Sequence, residues 1–300
     1  MIRTVNGDIS PLEVSGAYLH EHLIIDSLIV AKDFQFIHLP NELDAVNELN
    51  YCKKSGVNSM LDCMPLGSGR DAAKLINISS ATGINIIAAT GLHHDRYYHA
   101  DDKLENSSSE ELAEYFLSDL HEGMDGANAK AGIIKVVSSG LKIKYREHKL
   151  FEAAAIAHQK SGAPIISHCE HGTGAIEQLE LFIGMNIPLS KVTLSHTDKV
   201  ADIGYHHEIL SSGVFVEYDQ SLRQAIEVDA PSAQLTAAMV GAGFVNQIML
   251  GTDGARRSLW TSLGGAPGLA YLNGGWRKKL QKVGLNAQHL ETIFVNNPSR

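Results

Sequence analysis

The stretch SGAPIISH at residues 161–168 carries the pattern that decides the fold, because a polar residue and a glycine precede a short apolar strand ending on histidine. The same order of polar residue, glycine and apolar strand returns around Gly56, Gly83 and Gly213. Glycine at such a junction supplies the left-handed backbone that ends a helix before the next strand begins. The repetition predicts a chain built from alternating helices and strands.

Eight apolar runs of strand character begin at intervals of 22 to 48 residues, close to the roughly 30 residues of a strand–helix–strand unit. Helical patterns lie between them, for example at Leu43, Val46 and Leu49, and Ser108 with Glu111 forms a predicted capping box. The predicted strands cover residues 17–23, 57–63, 84–90, 132–137, 163–168, 192–196, 214–219 and 247–253.

Strands that are apolar along nearly their whole length are typical of a parallel sheet covered on both faces. Eight of them predict an α/β fold, a closed (β/α)8 TIM barrel, while an open doubly wound sheet is the alternative that spacing alone leaves open. No segment resembles a linker or a low-complexity tract, so we expect residues 1–300 to form a single domain.

Composition excludes several classes of protein. With 44% hydrophobic and 20% charged residues the chain is neither disordered nor collagen-like, and its formal net charge of −9 argues against a nucleic-acid surface. No apolar run approaches the roughly 18 residues of a membrane helix, and the start, MIRTVNGDIS, lacks a secretion signal. We therefore expect a cytoplasmic protein with no membrane partner, in which Cys52, Cys63 and Cys169 are reduced.

Chemically active residues collect at the ends of the predicted strands. His20 and His22 lie two residues apart in the first strand, so alternation directs both imidazoles to one face, which in a barrel is the interior. Such a pair favours a metal site, because two imidazoles in an apolar lumen need a partner. The strand ends add His168, His196 and Asp253, and this set exceeds what one four-coordinate zinc takes, which suggests two metal ions.

Lys135, within the fourth predicted strand, does not fit that set as an ammonium, because a buried cation would be repelled by metal ions. Two interpretations remain open at this point. The side chain either caps the strand with its head in solvent, or becomes a carbamate whose two oxygens bridge the metals.

With these residues in place, the sequence resembles the phosphotriesterase family of the amidohydrolase superfamily over essentially its whole length. The motifs that carry the resemblance are GAYLHEHL, GIIKV, ISHCEHGTGAIEQL, LSHTDKVAD, MLGTDGARRS and NNPSR. The resemblance implies a (β/α)8 barrel with two divalent metal ions, zinc or else manganese or cobalt. It further implies which residues hold them: one metal by His20, His22 and Asp253, the other by His168 and His196, and both by a Lys135 carbamate.

The resemblance also implies a hydrolase in which a metal-activated hydroxide attacks the substrate and Asp253 carries the proton. Tyr97 or Tyr98 is expected to donate a hydrogen bond to the developing oxyanion, as a tyrosine of this region does in lactonase relatives. Cys169 stands where several relatives have threonine, and Gly254 where organophosphate-cleaving members often have histidine, which argues against organophosphate hydrolysis.

Basic residues near the predicted mouth suggest a small anionic substrate, since guanidinium groups suit phosphate. The substrate-binding candidates are Arg96, Arg223, Arg256 and Arg257, with Lys142, Lys144 and Arg146 in the same region. GARRS is similar to the corresponding segment of phosphorylated sugar lactonases, so we expect a lactonase opening a phosphorylated sugar 1,4-lactone. The alternatives are a carboxyl or phosphate ester hydrolase, an N-acyl amide hydrolase and a non-catalytic metal-binding barrel; a homodimer is a family expectation.

Overall fold

Ten strands occur in the computed structural model, which describes residues 1–300. Their bounds are β1 Ile2–Thr4, β2 Gly7–Ile9, β3 Ala17–Glu21, β4 Ser59–Asp62, β5 Asn85–Gly91, β6 Ile133–Ser138, β7 Ile165–Cys169, β8 Val192–Ser195, β9 Phe215–Tyr218 and β10 Ile248–Leu250. The first two form an antiparallel hairpin, and β3 to β10 form one parallel sheet in which each strand pairs with the next along the chain.

Eleven α-helices accompany the strands. They are α1 Leu28–Asp33, α2 Glu42–Lys54, α3 Ala72–Thr82, α4 Lys103–Asn106, α5 Ser109–His121, α6 Tyr145–Ser161, α7 Ala175–Gly184, α8 Ile203–Ser211, α9 Pro231–Gly241, α10 Arg277–Lys282 and α11 Ala287–Glu291. Each barrel strand is connected to the next by a different one of the longer helices. The capping box predicted at Ser108 and Glu111 begins α5. None of these helices has the length and apolar character needed to cross a membrane.

The last strand returns to the first, which closes the sheet into a barrel. Beyond β10, the amide of Asp253 donates to the His20 carbonyl oxygen at 2.8 Å, and the Thr252 amide points at the same oxygen at 3.3 Å. An open doubly wound sheet would keep its first and last strands apart. The (β/α)8 TIM barrel predicted from the sequence is therefore confirmed, and the open-sheet alternative is wrong.

The helix-to-strand junctions form as the glycine pattern predicts. Gly56, Gly83, Gly162 and Gly213 have φ values of +95°, +70°, +73° and +89°, all in the left-handed region. One detail of the predicted helices differs: Leu43, assigned to the apolar face of α2, is 63% exposed, because it lies in the first turn, beyond the packed part of that helix.

A layer of apolar side chains fills the lower lumen of the barrel. Leu61, Cys63, Ala89, Ile133 and Ile166 are buried together, and Leu19 packs against them. Ile133 and Ile166 lie two residues before Lys135 and His168, so alternation along β6 and β7 directs these polar side chains into the same lumen, one layer higher. The apolar layer thus forms the floor of a polar site. All three cysteines are buried free thiols, as expected.

Candidate metal centre

The side-chain directions of the two histidines of the first barrel strand do not follow simple alternation along the strand. Leu19 packs on the lumen floor, and yet its neighbour His20 also points into the lumen, where its Nε2 lies 3.3 Å from Lys135 Nζ. Pairing of β3 with β4 shifts register between Tyr18 and Glu21. Such an irregularity turns successive side chains to one side of a sheet. His20 and His22 then lie together, with their ring centroids 5.3 Å apart.

Lys135 is fully buried at the centre of this group. No carboxylate lies within the 4.0 Å of an ion pair, and the imidazole of His20 is its hydrogen-bond partner. Strand β5 approaches the backbone of Lys135 closely, because Gly91 has no side chain. Gly91 has φ +98°, and a Cβ there would lie 1.9 Å from the Lys135 carbonyl oxygen. Because Lys135 is fully buried, the interpretation in which it caps the strand with its head in solvent is wrong.

His168 and His196, from the ends of β7 and β8, complete a cluster of four imidazoles. Their ring centroids are 4.2 Å apart, and His196 lies 4.5 Å from His20. His196 has a left-handed backbone with φ +68°, which an L-residue adopts rarely and which is typical of functional sites. The Asp219 carboxylate contacts its Nδ1, while its Nε2 is buried without a hydrogen-bond partner.

Asp253 follows β10 and reaches the cluster beside β3, where its amide binds the His20 carbonyl oxygen. Its φ is +43°, and its Oδ1 lies 3.5 Å from His22 Nε2. The Arg223 guanidinium donates to its Oδ2 at 2.7 Å and to its carbonyl oxygen at 3.0 Å. Burial raises the pKa of this carboxyl, but Arg223 and His22 outweigh that effect and hold the pKa well below its usual range. Asp253 is therefore an anion directed at the histidine cluster.

The donor set fits divalent cations. His20, His22 and Asp253 offer ligand atoms within 4.8 Å of one another, and so do His20, His196, Glu217 and Asp219. His196 Nε2 is buried without a hydrogen-bond partner. Burial, together with neighbouring cationic groups, lowers the pKa of His20 and His168 well below the usual value, and burial also lowers the pKa of His196. Neutral imidazole is the form that binds metal. A buried lysine without a counter-charge is also consistent with conversion to an anionic group.

The two tyrosines differ in their availability to a substrate. The Tyr98 hydroxyl donates to the Leu66 carbonyl oxygen at 2.8 Å and accepts the His93 amide at 2.9 Å, so its proton is already used. Tyr98 is thus a structural residue that ties two loops together, and its expected role at the oxyanion is corrected. Tyr97 is half-buried, with its ring 4.7 Å from that of His93, and it stays the candidate.

The candidate substrate-binding arginines divide in the same way. Arg223 is committed to Asp253, Arg257 donates to the His38 carbonyl oxygen at 2.8 Å, and Arg96 lies 3.3 Å from Glu170. Arg256 is exposed on the loop after β10, stacks over the Phe36 ring at 5.7 Å and has no carboxylate partner. Arg146 pairs with Glu105, whereas Lys142 and Lys144 are exposed. Arg223 is therefore a partner of Asp253 rather than a free anion-binding group.

Several residues of the site had no role in the sequence analysis. Glu217 is fully buried 3.3 Å from His20 Nδ1, Asp219 lies beside His196, and Glu170 bonds to His168. His93 and His94, buried at the end of β5, stack near His168. A carboxylate two residues after a strand-end histidine, as in His168-Cys169-Glu170, is a signal that could have found Glu170.

Comparison with known proteins agrees with this geometry. The model of the phosphotriesterase family matches residues 1–300. A phosphotriesterase homology protein of Escherichia coli is 30% identical, with 94% of this chain and 95% of that protein covered. A phospho-furanose lactonase of Mycoplasmopsis synoviae is 29% identical, with 99% and 90% covered. Among solved structures, a lactonase from Listeria monocytogenes superposes with a TM-score of 0.94 at 26% identity, over 99% of this chain and 97% of that one.

Proposed function

The chain belongs to the phosphotriesterase family of metal-dependent hydrolases, and from that premise we propose that it is a lactonase opening a phosphorylated sugar 1,4-lactone. The observation that carries the proposal is the meeting of His20, His22, Lys135, His168, His196 and Asp253 at the carboxyl ends of the barrel strands, the rim where barrel enzymes have their active sites. Similarity to lactonases, one of which acts on phospho-furanose lactones by its name, supports the substrate class.

We assign the metal ligands as the resemblance implies. His20, His22 and Asp253 would hold one cation, His168 and His196 the other, and Lys135, as a carbamate, both. Zinc is the proposed metal, since imidazole and carboxylate ligands suit it. When bound, the pair of cations would lower the pKa of water and polarise the substrate carbonyl.

The chain's own residues would then manage the proton and the substrate. Asp253, fixed between His22 and Arg223, would take the proton of the attacking water and return it to the leaving ring oxygen. Tyr97 would donate a hydrogen bond to the carbonyl oxygen as negative charge develops there. Arg256, as the exposed guanidinium without a carboxylate partner, would bind the phosphate.

The test compares kcat/KM for a phosphorylated 1,4-lactone with that for the same lactone without phosphate, alongside a panel of esters and amides. Arg256→Ala should lower kcat/KM for the phosphorylated lactone about 10- to 100-fold, the loss expected for a hydrogen bond to a charged group, and leave the neutral lactone unchanged. Arg300→Ala is the matched control, because Arg300 contacts Asn246 at the opposite end of the barrel. A ratio near one in the unaltered enzyme would reject phosphate recognition.

A further inference from the structure

Glu170 contacts both the metal centre and residues on the side of the mouth. It begins the turn after β7, and its side chain is 17% exposed. Its Oε2 lies 2.5 Å from His168 Nε2. On its outer side, His94 Nε2 is 3.4 Å from the same oxygen, and the Arg96 guanidinium is 3.3 Å from Oε1. A carboxylate in such a position either binds a cation together with the histidines or orients one of them.

The distance separates these two roles. Two ligands of one tetrahedral zinc, each about 2.0–2.2 Å from the metal, lie about 3.3 Å apart. The 2.5 Å between Glu170 Oε2 and His168 Nε2 is much shorter than that separation, so the two groups are in direct hydrogen-bond contact. An ionised carboxylate can only accept a hydrogen bond, so the Nε2–H group is the donor in that bond. The remaining lone pair of the imidazole is then on Nδ1.

Two other histidines of the cluster, His196 and His20, show a similar relation. The Asp219 carboxylate contacts His196 Nδ1, and the opposite nitrogen, Nε2, is buried without a partner. Glu217 lies 3.3 Å from His20 Nδ1, and the opposite nitrogen faces Lys135 at 3.3 Å. In both cases the carboxylate lies on the nitrogen turned away from the shared space. His168 differs in one respect, since its carboxylate lies on Nε2 rather than on Nδ1.

We propose that Glu170 is a positioning residue for His168. Glu170 holds the His168 imidazole in its Nε2–H tautomer, so that Nδ1 faces the second cation. A carboxylate behind a ligating histidine fixes the orientation of its ring and raises its basicity. His94 and Arg96 would hold Glu170 in place from the side of the mouth. The inference rests on the proposed metal centre, but Glu170 is not one of the ligands assigned to that centre.

The first experiment titrates the full-length, metal-free protein with Co²⁺ and follows the visible absorption. The unaltered protein should bind two equivalents, and Glu170→Ala should weaken one of them about 10- to 100-fold while the other stays unchanged. Glu170→Gln, whose amide oxygen still accepts a hydrogen bond from Nε2–H, should lose less cobalt affinity. Glu180→Ala, an exposed position on α7, is the matched control and should titrate like the unaltered protein.

The second readout needs no metal. In ¹⁵N-histidine NMR spectra of the metal-free protein, the His168 ring should be the Nε2–H tautomer, and Glu170→Ala should abolish that preference. Unchanged cobalt affinities together with an unchanged tautomer would overturn the proposal. A third cobalt equivalent that disappears in Glu170→Ala would also overturn it, in favour of a cation between His94 and Glu170. A protein that binds no cobalt would instead contradict the metal centre itself.

Discussion

Asp253 is the residue on which the proposed reaction depends most directly, because its carboxylate contacts both His22 and Arg223. Asp253→Asn keeps the shape of the side chain but removes the charge that would accept a proton. General acid–base catalysis typically contributes about 10²- to 10⁴-fold, so kcat should fall by that factor while the circular dichroism spectrum is unchanged. Asp8→Asn in the β1–β2 hairpin makes the same chemical change far from the mouth and should retain full turnover.

Lys135 permits a prediction that separates a carbamate from a plain ammonium. Lys135→Ala should reduce the bound metal measured by atomic emission, because the oxygens of the proposed carbamate would be lost. A short carboxylate such as formate, added to the buffer, should restore part of it by occupying the space of the deleted side chain. Lys191→Ala, at an exposed position before β8, should bind metal normally. Full metal content in Lys135→Ala without any additive would show that no bridge from this residue is needed.

At this scale the sequence predicted which residues meet, but not how each is engaged. The positions of His168, His196 and Asp253 after apolar strands were sufficient to expect them at one rim. The engagement of Arg223 by Asp253 joins residues 30 positions apart, and Tyr98 bonds to Leu66 over 32 positions. Such contacts depend on loop conformations after the strands, which apolar periodicity does not describe. The structure therefore removes Arg223 from the free anion-binding candidates and Tyr98 from the oxyanion candidates, because both side chains are already engaged.

Among the elements, β3 shows most clearly where a sequence pattern can mislead. Alternation predicted one shared face for His20 and His22, and the two rings do lie together. The register shift between Tyr18 and Glu21 nevertheless puts Leu19 and His20 on the same side. A bulge depends on the pairing with the neighbouring strand, so no local pattern in AYLHEHL could reveal it. The short β1–β2 hairpin also had too few apolar residues to be predicted.

The glycine junctions are an element-scale feature that a pair of variants can test. Gly162 ends α6 with φ +73°, and a Cβ there would meet no atom within 4 Å, so Gly162→Ala isolates the backbone effect. A left-handed L-residue costs about 1–2 kcal/mol of folding free energy, so the variant should unfold at lower denaturant concentration. Gly184→Ala is also free of contacts, but it lies in helix α7 and should gain up to about 1 kcal/mol. Equal stabilities of the two variants would contradict the assignment of Gly162 as a left-handed residue that ends α6.

For the whole molecule, the closure of the barrel and the metal centre involve the same residues. The His20 carbonyl accepts the Asp253 amide, and Glu21 binds the Thr252 amide at 2.9 Å, so the join between the last and first strands lies directly beside two proposed ligands. Residues of β3, β6 and β7, with others just after β8 and β10, surround the cluster. A cation bound there would connect most of the barrel circumference.

Removal of the metal should therefore destabilise the entire fold rather than one loop. A ligand that binds only the folded state adds about 4 kcal/mol to the free energy of unfolding when its free concentration is 1,000 times its Kd. We expect the Tm to fall by several degrees after dialysis against a chelator and to recover on titration with zinc. The double variant His20→Ala, His22→Ala, which keeps the proposed ligands of the second cation, provides the control, since its Tm should change less on treatment with chelator than that of the unaltered protein. If the unaltered protein melted at one temperature under both conditions, the cations would contribute nothing to barrel closure, and the coupling of site and fold would be wrong.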